Sequence, residues 1–243
     1  MTFQMTLKEY LKPNTAVRPP SPSGEWWTPP AASRGLRHFK FASKGSGRGV
    51  AIIDDTCVES ESMLERRGTL VLRHRPDTLR IVEQSPKVTY VDADGVVREH
   101  VFDLTIFRDD DKKIAVDFKP AGLVASSGIR ELHTLLAGQL PPLVADELLI
   151  VTEQSYTRTD LFNAKLKHAA ARQDYPADDA AILRLVARMK SPAPIADLVK
   201  KSKLAGYGFN AVVRALSAGH LRLADENAKI EYPAVVAPGC PAG

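Results

Sequence analysis

The sequence predicts a mixed α/β domain followed by a smaller unit of three helices and a β-hairpin. Three observations carry this expectation. Between Thr56 and Gln173 helical and strand-like segments run in the order α-β-β-β-β-α-β-α, an order that implies a mixed sheet flanked by helices. After Pro176 the apolar spacing becomes helical three times over, and a short hairpin pattern closes the chain. Before residue 44 the chain is rich in Pro and Ser and has no apolar periodicity that could build a core.

The elements follow in order. Residues 1–43 form a basic Pro/Ser-rich arm, with "RPPSPSGEWWTPPAAS" at its centre and Trp26-Trp27 as a site for partner contact or for folding back. "FASKGSGRGV" is Gly-rich and basic but lacks the G-x-x-x-x-G-K-[ST] phosphate-loop pattern. Residues 44–175 hold the main domain. A helix is expected from Val58 to His74, started by a capping box of Thr56 with Glu59 or of Ser62 with Glu65, and stopped by Pro76. "LRIVEQSP", "KVTYVDADG" and "VREHVFDLTIF" read as three strands, with Asp94-Gly95 as a tight turn. "IAVDFKP" is the fourth. A helix near 129–137, the buried strand "DELLIVTE" and a helix starting near Thr159-Asp160 complete the domain.

Residues 176–236 contain "DDAAILRLVARMK", "IADLVKKSKL" and "FNAVVRALSAGH" as helices, then "LRLADENAKIEYP" as a hairpin. Three helices and a two-stranded wing make the pattern of a winged helix-turn-helix. Residues 237–243 are expected to be a flexible tail.

The chain has 33 Lys+Arg against 29 Asp+Glu, for a formal net charge of +4. The first 50 residues carry eight Lys/Arg against two Asp/Glu, and the part from Asp178 carries nine against six, so the middle is acidic. Basic ends around an acidic centre fit a protein that grips a polyanion and keeps carboxylates at its chemical centre; solvated surface fits the same numbers. No run is apolar enough to span a membrane, and the N-terminus has no signal-peptide core. The two cysteines, Cys57 and Cys240, support neither a zinc site nor a disulfide framework. A cytoplasmic location is expected.

The chemical signal lies in "VFDLTIFRDDDKKIAVDFKP". Alternation along a strand puts Ile114, Val116 and Phe118 on one face and Asp117 and Lys119 on the other. Upstream, Phe102, Leu104 and Ile106 form the apolar face, with Asp103 opposite. A hairpin centred near Asp110 pairs Asp103 with Asp117, with β-carbons ~5 Å apart. Two such carboxylates repel unless a cation lies between them, and Mg²⁺ accepts one or two carboxylates plus water and phosphate oxygens. Asp117-x-Lys119 alone also fits a surface strand, and Glu65 alone fits a capping residue. Together Glu65, Asp103, Asp117 and Lys119 are the groups a metal-dependent phosphodiesterase needs. The six histidines show no paired spacing on one expected face, so surface or supporting roles are expected for them.

The order of Glu65, Asp103 and "DFKP" resembles the PD-(D/E)xK nuclease superfamily, and more closely the TnsA-type endonucleases of heteromeric transposons. The likeness rests on "ESMLERRGTLVLRHRPDTLRIVEQ", "HVFDLTI", "AVDFKPAG" and "LLIVTEQSYTRTDLFNAKLKH" and covers roughly residues 44–168. It implies a restriction-endonuclease-like sheet followed by a winged helix. It also implies a Mg²⁺-dependent DNA endonuclease (Mn²⁺ substituting) that nicks the 5′ side of transposon ends. Glu65, Asp103 and Asp117 would be the metal carboxylates and Lys119 the catalytic lysine. Arg37, Lys40, Lys44, Arg48 and Gln84 would meet double-stranded DNA, with Glu83 beside Gln84 structural or DNA-facing. The implied partners are a DDE-type transposase and an AAA+ ATPase regulator, with no membrane. The sequence departs from the family where the central aspartate stands as Phe102-Asp103-Leu104 rather than after Pro or Thr and before Phe. A restriction or phage-defence nuclease of the same fold and a non-catalytic winged-helix DNA-binding protein are the alternative readings.

Overall fold

Short hairpin connections and apolar alternation build much of the sheet structure. The computed structural model describes residues 29–35, 49–172 and 175–239. β1 (Gly49–Ile53) and β2 (Thr56–Ser60) pair antiparallel across Asp54-Asp55, both with positive φ, as a two-residue hairpin turn with the twist of its strands requires. This hairpin occupies residues expected to be loop and helix start. The helix α1 (Met63–Arg73) begins later, with Ser62 as N-cap accepting from the Glu65 amide, so half of the second expected capping box forms, while the Glu65 side chain reaches one residue further back to the Glu61 amide. Asp54 is then held by Arg73 at the other end of α1, through Nε and Nη2, both at 2.8 Å.

β3 (Thr78–Glu83), β6 (Leu104–Arg108), β7 (Lys113–Phe118) and β8 (Glu147–Val151) form a four-stranded sheet in the order β3-β6-β7-β8. The first three are antiparallel neighbours and β7 runs parallel to β8, so the sheet is mixed. β4 (Lys87–Val91) and β5 (Val97–Val101) stand apart as a hairpin. Its turn is closed by Asp92, whose carboxylate accepts from Asp94 and Val96, and by Gly95 at φ 78°. The run expected as one strand, "VREHVFDLTIF", is two: the chain bends at Phe102-Asp103 between β5 and β6. The bend also overturns the face expected for Phe102. Leu104, Ile106, Ile114, Val116 and Phe118 share one core with α1, whereas Phe102 packs with Ala115 and Leu136 in a second core. A bend resets alternation, and Phe102 belongs to the far side of it.

The second core is closed by α3 (Ile129–Ala137), which follows the short helix α2 (Ala121–Val124). α4 (Arg158–Ala171) starts with a full capping box of Thr157 and Asp160. Ala164 lies in the α1-side core, and Ala170 with Leu166 lies in a third core. That third core is made by α5 (Pro176–Val186), α6 (Ile195–Ser202) and α7 (Gly206–Ser217) with the sheet β10-β11-β9. Its strands are β9 (Ala193–Pro194), β10 (Leu221–Leu223) and β11 (Val235–Pro238). β11 corrects the expected tail: Val236 and Ala237 are buried and pair with Leu223 and Arg222, because the wing residues 224–234 form a longer loop than expected. Among the described residues no helix is long and apolar enough to cross a membrane.

Candidate active site

The β6–β7 register is the one expected from the charged turn. Leu104 pairs with Val116, Thr105 with Ala115, Ile106 with Ile114 and Phe107 with Lys113. Continued by one residue, this register brings Asp103 to Asp117, and the Phe118 amide donates to Asp103 Oδ2 at 2.8 Å. Asp103 is also fixed through its carbonyl, which accepts from the Gln84 amide at 2.7 Å.

α1 carries Glu65 to the same place. Glu65 caps its own helix, with Oε2 accepting from the Glu61 amide at 2.7 Å. About one turn along, Gly68 lies against the Phe118 ring, and a β-carbon there would meet Phe118 Cδ1 at 3.0 Å and Cε1 closer still. The missing side chain is what lets α1 approach the end of β7. Burial raises the Glu65 carboxyl above its ordinary value, against the hydrogen bonds that favour its ionised form.

The electrostatics follow from this crowding. Burial pushes the Asp103 carboxyl up to about 7, with Asp117 and Glu65 adding to the rise and the Phe118 amide and His100 opposing it. Asp117 goes the other way. Burial (5% exposed) would raise it, but His100 and His133 more than offset that and hold the carboxyl below its usual value. His100 Nε2 lies 2.9 Å and His133 Nε2 2.8 Å from Asp117, both on Oδ2. Since Asp117 is ionised it can only accept, so each imidazole donates from Nε2. Lys119 follows two residues on, half-buried, with its amide bonded to the Val151 carbonyl.

Thus Glu65, Asp103 and Asp117 come within electrostatic reach of one another at the carboxyl end of β7, with Lys119 beside them in the chain. Two carboxylates at this spot suit a hard cation chemically, with water and phosphate filling the remaining positions. Asp117 and Glu65 both add to the rise that burial imposes on Asp103, so the spot favours a positive partner. A third protein ligand is not in place: among the described residues no group of three His, Cys, Asp or Glu is drawn together as a metal cluster, and Glu65 is turned to its cap.

The expected DNA contacts fare differently. Arg37, Lys40, Lys44 and Arg48 lie outside the described residues. Gln84 is buried, at φ 47°, in the turn leaving β3, where it supports Asp103 through its backbone. Glu83 is 3% exposed and takes the Ser33 hydroxyl at 2.7 Å and the Arg34 amide at 3.0 Å on one oxygen. It pins residues 29–35 along the domain, so its role is structural.

His100 and His133 are site residues that no paired spacing in the sequence reveals. A signal existed for one of them. His133 sits on the stripe Ile129–His133–Leu136, the buried face of α3, and a polar residue on an apolar stripe requires a partner. His100 gives no such signal, because its approach depends on how the β4–β5 hairpin stacks.

No family model and no curated protein matches this chain.

Proposed function

We propose that this chain is a divalent-metal-dependent DNA endonuclease, the subunit of a heteromeric transposase that nicks the 5′ side of transposon ends. The observation that carries the reading is the β6–β7 register, which sets Asp103 against Asp117 and leaves Lys119 two residues further on, with Glu65 presented by α1. The restriction-endonuclease-like arrangement is supported by a mixed sheet with helices on both sides. The winged-helix reading of residues 176–239 is supported by three helices followed by β10 and β11.

Asp103 and Asp117, joined by Glu65 if it leaves its cap, would hold Mg²⁺ or Mn²⁺. A divalent cation supplies Lewis acidity toward the scissile phosphate. The chain's own groups then have separate tasks. The carboxylates fix where the phosphodiester sits, Lys119 stabilises charge that develops on phosphorus or orients the attacking water, and buried Asp117 is kept ionised by its imidazoles. One such set serves one phosphodiester, so one chain nicks rather than breaks a duplex.

The C-terminal unit is read as a docking surface for the DDE-type transposase or an AAA+ regulator. α7, at the recognition-helix position, has Arg214 as its one Lys/Arg, and Arg214 is paired with Asp179 at 2.7 Å. Phosphate contact would need cations that this helix does not offer.

The test is cleavage of labelled end DNA with Mg²⁺, by the full chain alone and with its transposase. Little sequence-specific cutting alone and 5′-side nicks with the partner are expected, both lost in Asp103→Ala. Lys119→Ala should cut turnover about 10²-fold while metal binding persists. Efficient, specific double-strand cleavage by the chain alone would instead support a restriction-type nuclease, and wild-type cutting by Asp103→Ala would remove the site assignment.

A further inference from the structure

We propose that His100 and His133 are positioning residues that together hold the Asp117 carboxylate by Oδ2, reserving Oδ1 for the cation. This rests on the metal-dependent reading above and specifies how one of its ligands is presented.

A carboxylate oxygen offers two in-plane acceptor positions, and Oδ2 of Asp117 has two imidazole donors at 2.9 and 2.8 Å. With Oδ2 filled, a cation that leaves the imidazoles in place must take Oδ1.

The clamp is built into the core. His133 and Asp117 are 8% and 5% exposed. Both rings pack edge-to-face against Phe102, with ring centroids 4.6 Å away for His100 and 5.8 Å for His133. Phe102 is fully buried, so it sets the position of both imidazoles at once. The parts come from three elements: β5 supplies His100, the bend before β6 supplies Phe102, and α3 supplies His133. The bend that displaced Phe102 from its expected face is therefore what places it between the rings.

Two donors on one oxygen also explain how a buried aspartate beside a second carboxyl stays ionised. Both imidazoles reach Oδ2 through Nε2 and leave Oδ1 without either of them. Outer partners that orient a ligating group commonly contribute 10–100-fold to metal affinity.

The experiment measures Mn²⁺ binding by the full chain through electron paramagnetic resonance, with thermal unfolding recorded for every variant. His100→Ala and the double alanine variant should lose about 10–100-fold in Mn²⁺ affinity. His100→Gln and His133→Gln, whose Nε2 can still donate, should keep most of it. Alanine variants within twofold of wild type overturn the proposal, and so do glutamine variants as weak as alanine, which would make the imidazole itself the requirement. Asp117→Asn separates the two levels: wild-type Mn²⁺ binding unaffected by it, or no binding by the wild type, overturns the metal reading and the clamp together. Because the loss of buried His133 could unfold the chain, long-range ¹H–¹⁵N spectra of the wild type provide a second readout. Both Nε2 atoms should remain protonated with and without Mg²⁺; loss of the Nε2 proton on adding Mg²⁺ would make the histidines ligands and overturn the clamp.

Discussion

Asp103 and Asp117 sit side by side with opposite shifts, and the cause is what each accepts. Asp103 has one backbone amide and two carboxylate neighbours, while Asp117 has two imidazoles. A carboxyl whose folded value is raised to about 7 stabilises the fold below its unfolded value near 4, and that contribution is lost as pH rises through about 7. Asp103→Asn keeps an acceptor for the Phe118 amide and removes the repulsion. In chelator at pH 8 it should therefore unfold later than wild type, by ~1–3 kcal/mol, and the difference should shrink toward pH 4. Added Mg²⁺ should reverse the order, since binding only the native wild type stabilises it by mass action. Equal unfolding midpoints in chelator at both pH values would mean that Asp103 is not under charge stress. These two aspartates were legible in the sequence because a charged turn and strict alternation fix a hairpin register locally. The imidazoles were not, because His100 and His133 reach Asp117 from a separate hairpin and from a helix 16 residues along the chain.

Helix α1 is where local preference and packing disagree. Gly at a helix interior costs about 1 kcal/mol relative to Ala, yet Gly68 is buried against Phe118 and a β-carbon does not fit without movement. Gly68→Ala should destabilise the fold by a net ~1–2 kcal/mol, the overpacking outweighing the gain in propensity, and should draw Glu65 away from the carboxylates. Chemical denaturation of the single variant and of Gly68→Ala with Phe118→Leu checks this; the second change should restore stability by making room. A more stable single variant would show that α1 can shift freely. The same contrast explains which elements were legible. Ser62 and Glu65 announce the start of α1, and Thr157 with Asp160 the start of α4. The β1–β2 hairpin was not visible because its turn is Asp54-Asp55, two left-handed residues with no glycine to mark them. The last strand was hidden likewise: Val235–Pro238 lies among prolines and glycines, and its place is fixed by pairing with β10 and β9.

The two halves of the molecule meet on α4, and that junction gives the chain its expected response to acid. α4 puts Ala164 into the core beneath the sheet and Ala170 into the core of the C-terminal unit. Asn163 fastens the wing loop to it, donating to the Ala228 carbonyl at 2.9 Å and accepting from the Ile230 amide at 2.8 Å. Across from α4, His74 ends α1 beside a cavity of about 500 Å³ that His168 and Arg172 also line. Its ring meets His168 edge-on at 5.9 Å, and the Lys167 ammonium donates to the His74 carbonyl. Burial, with Arg73, His168 and Lys167 nearby, drives the His74 imidazole down to about 3, and burial also lowers His168. A histidine whose folded value is depressed contributes stability above its unfolded value near 6.5, and loses it as pH falls toward about 3. Unfolded chain takes up the proton first, so acid should loosen this junction before the carboxylates of the sheet are protonated in the unfolded chain. The expected cost from His74 alone is ~2–4 kcal/mol between pH 6.5 and 3.5, set against the gain from Asp103 over the upper part of that range. His74→Gln, which carries no titrating group, should flatten the fall in unfolding midpoint over that range while leaving the midpoint at pH 8 nearly unchanged. An acid limb as steep in His74→Gln as in wild type would place the sensitivity elsewhere and leave α4 a purely mechanical joint.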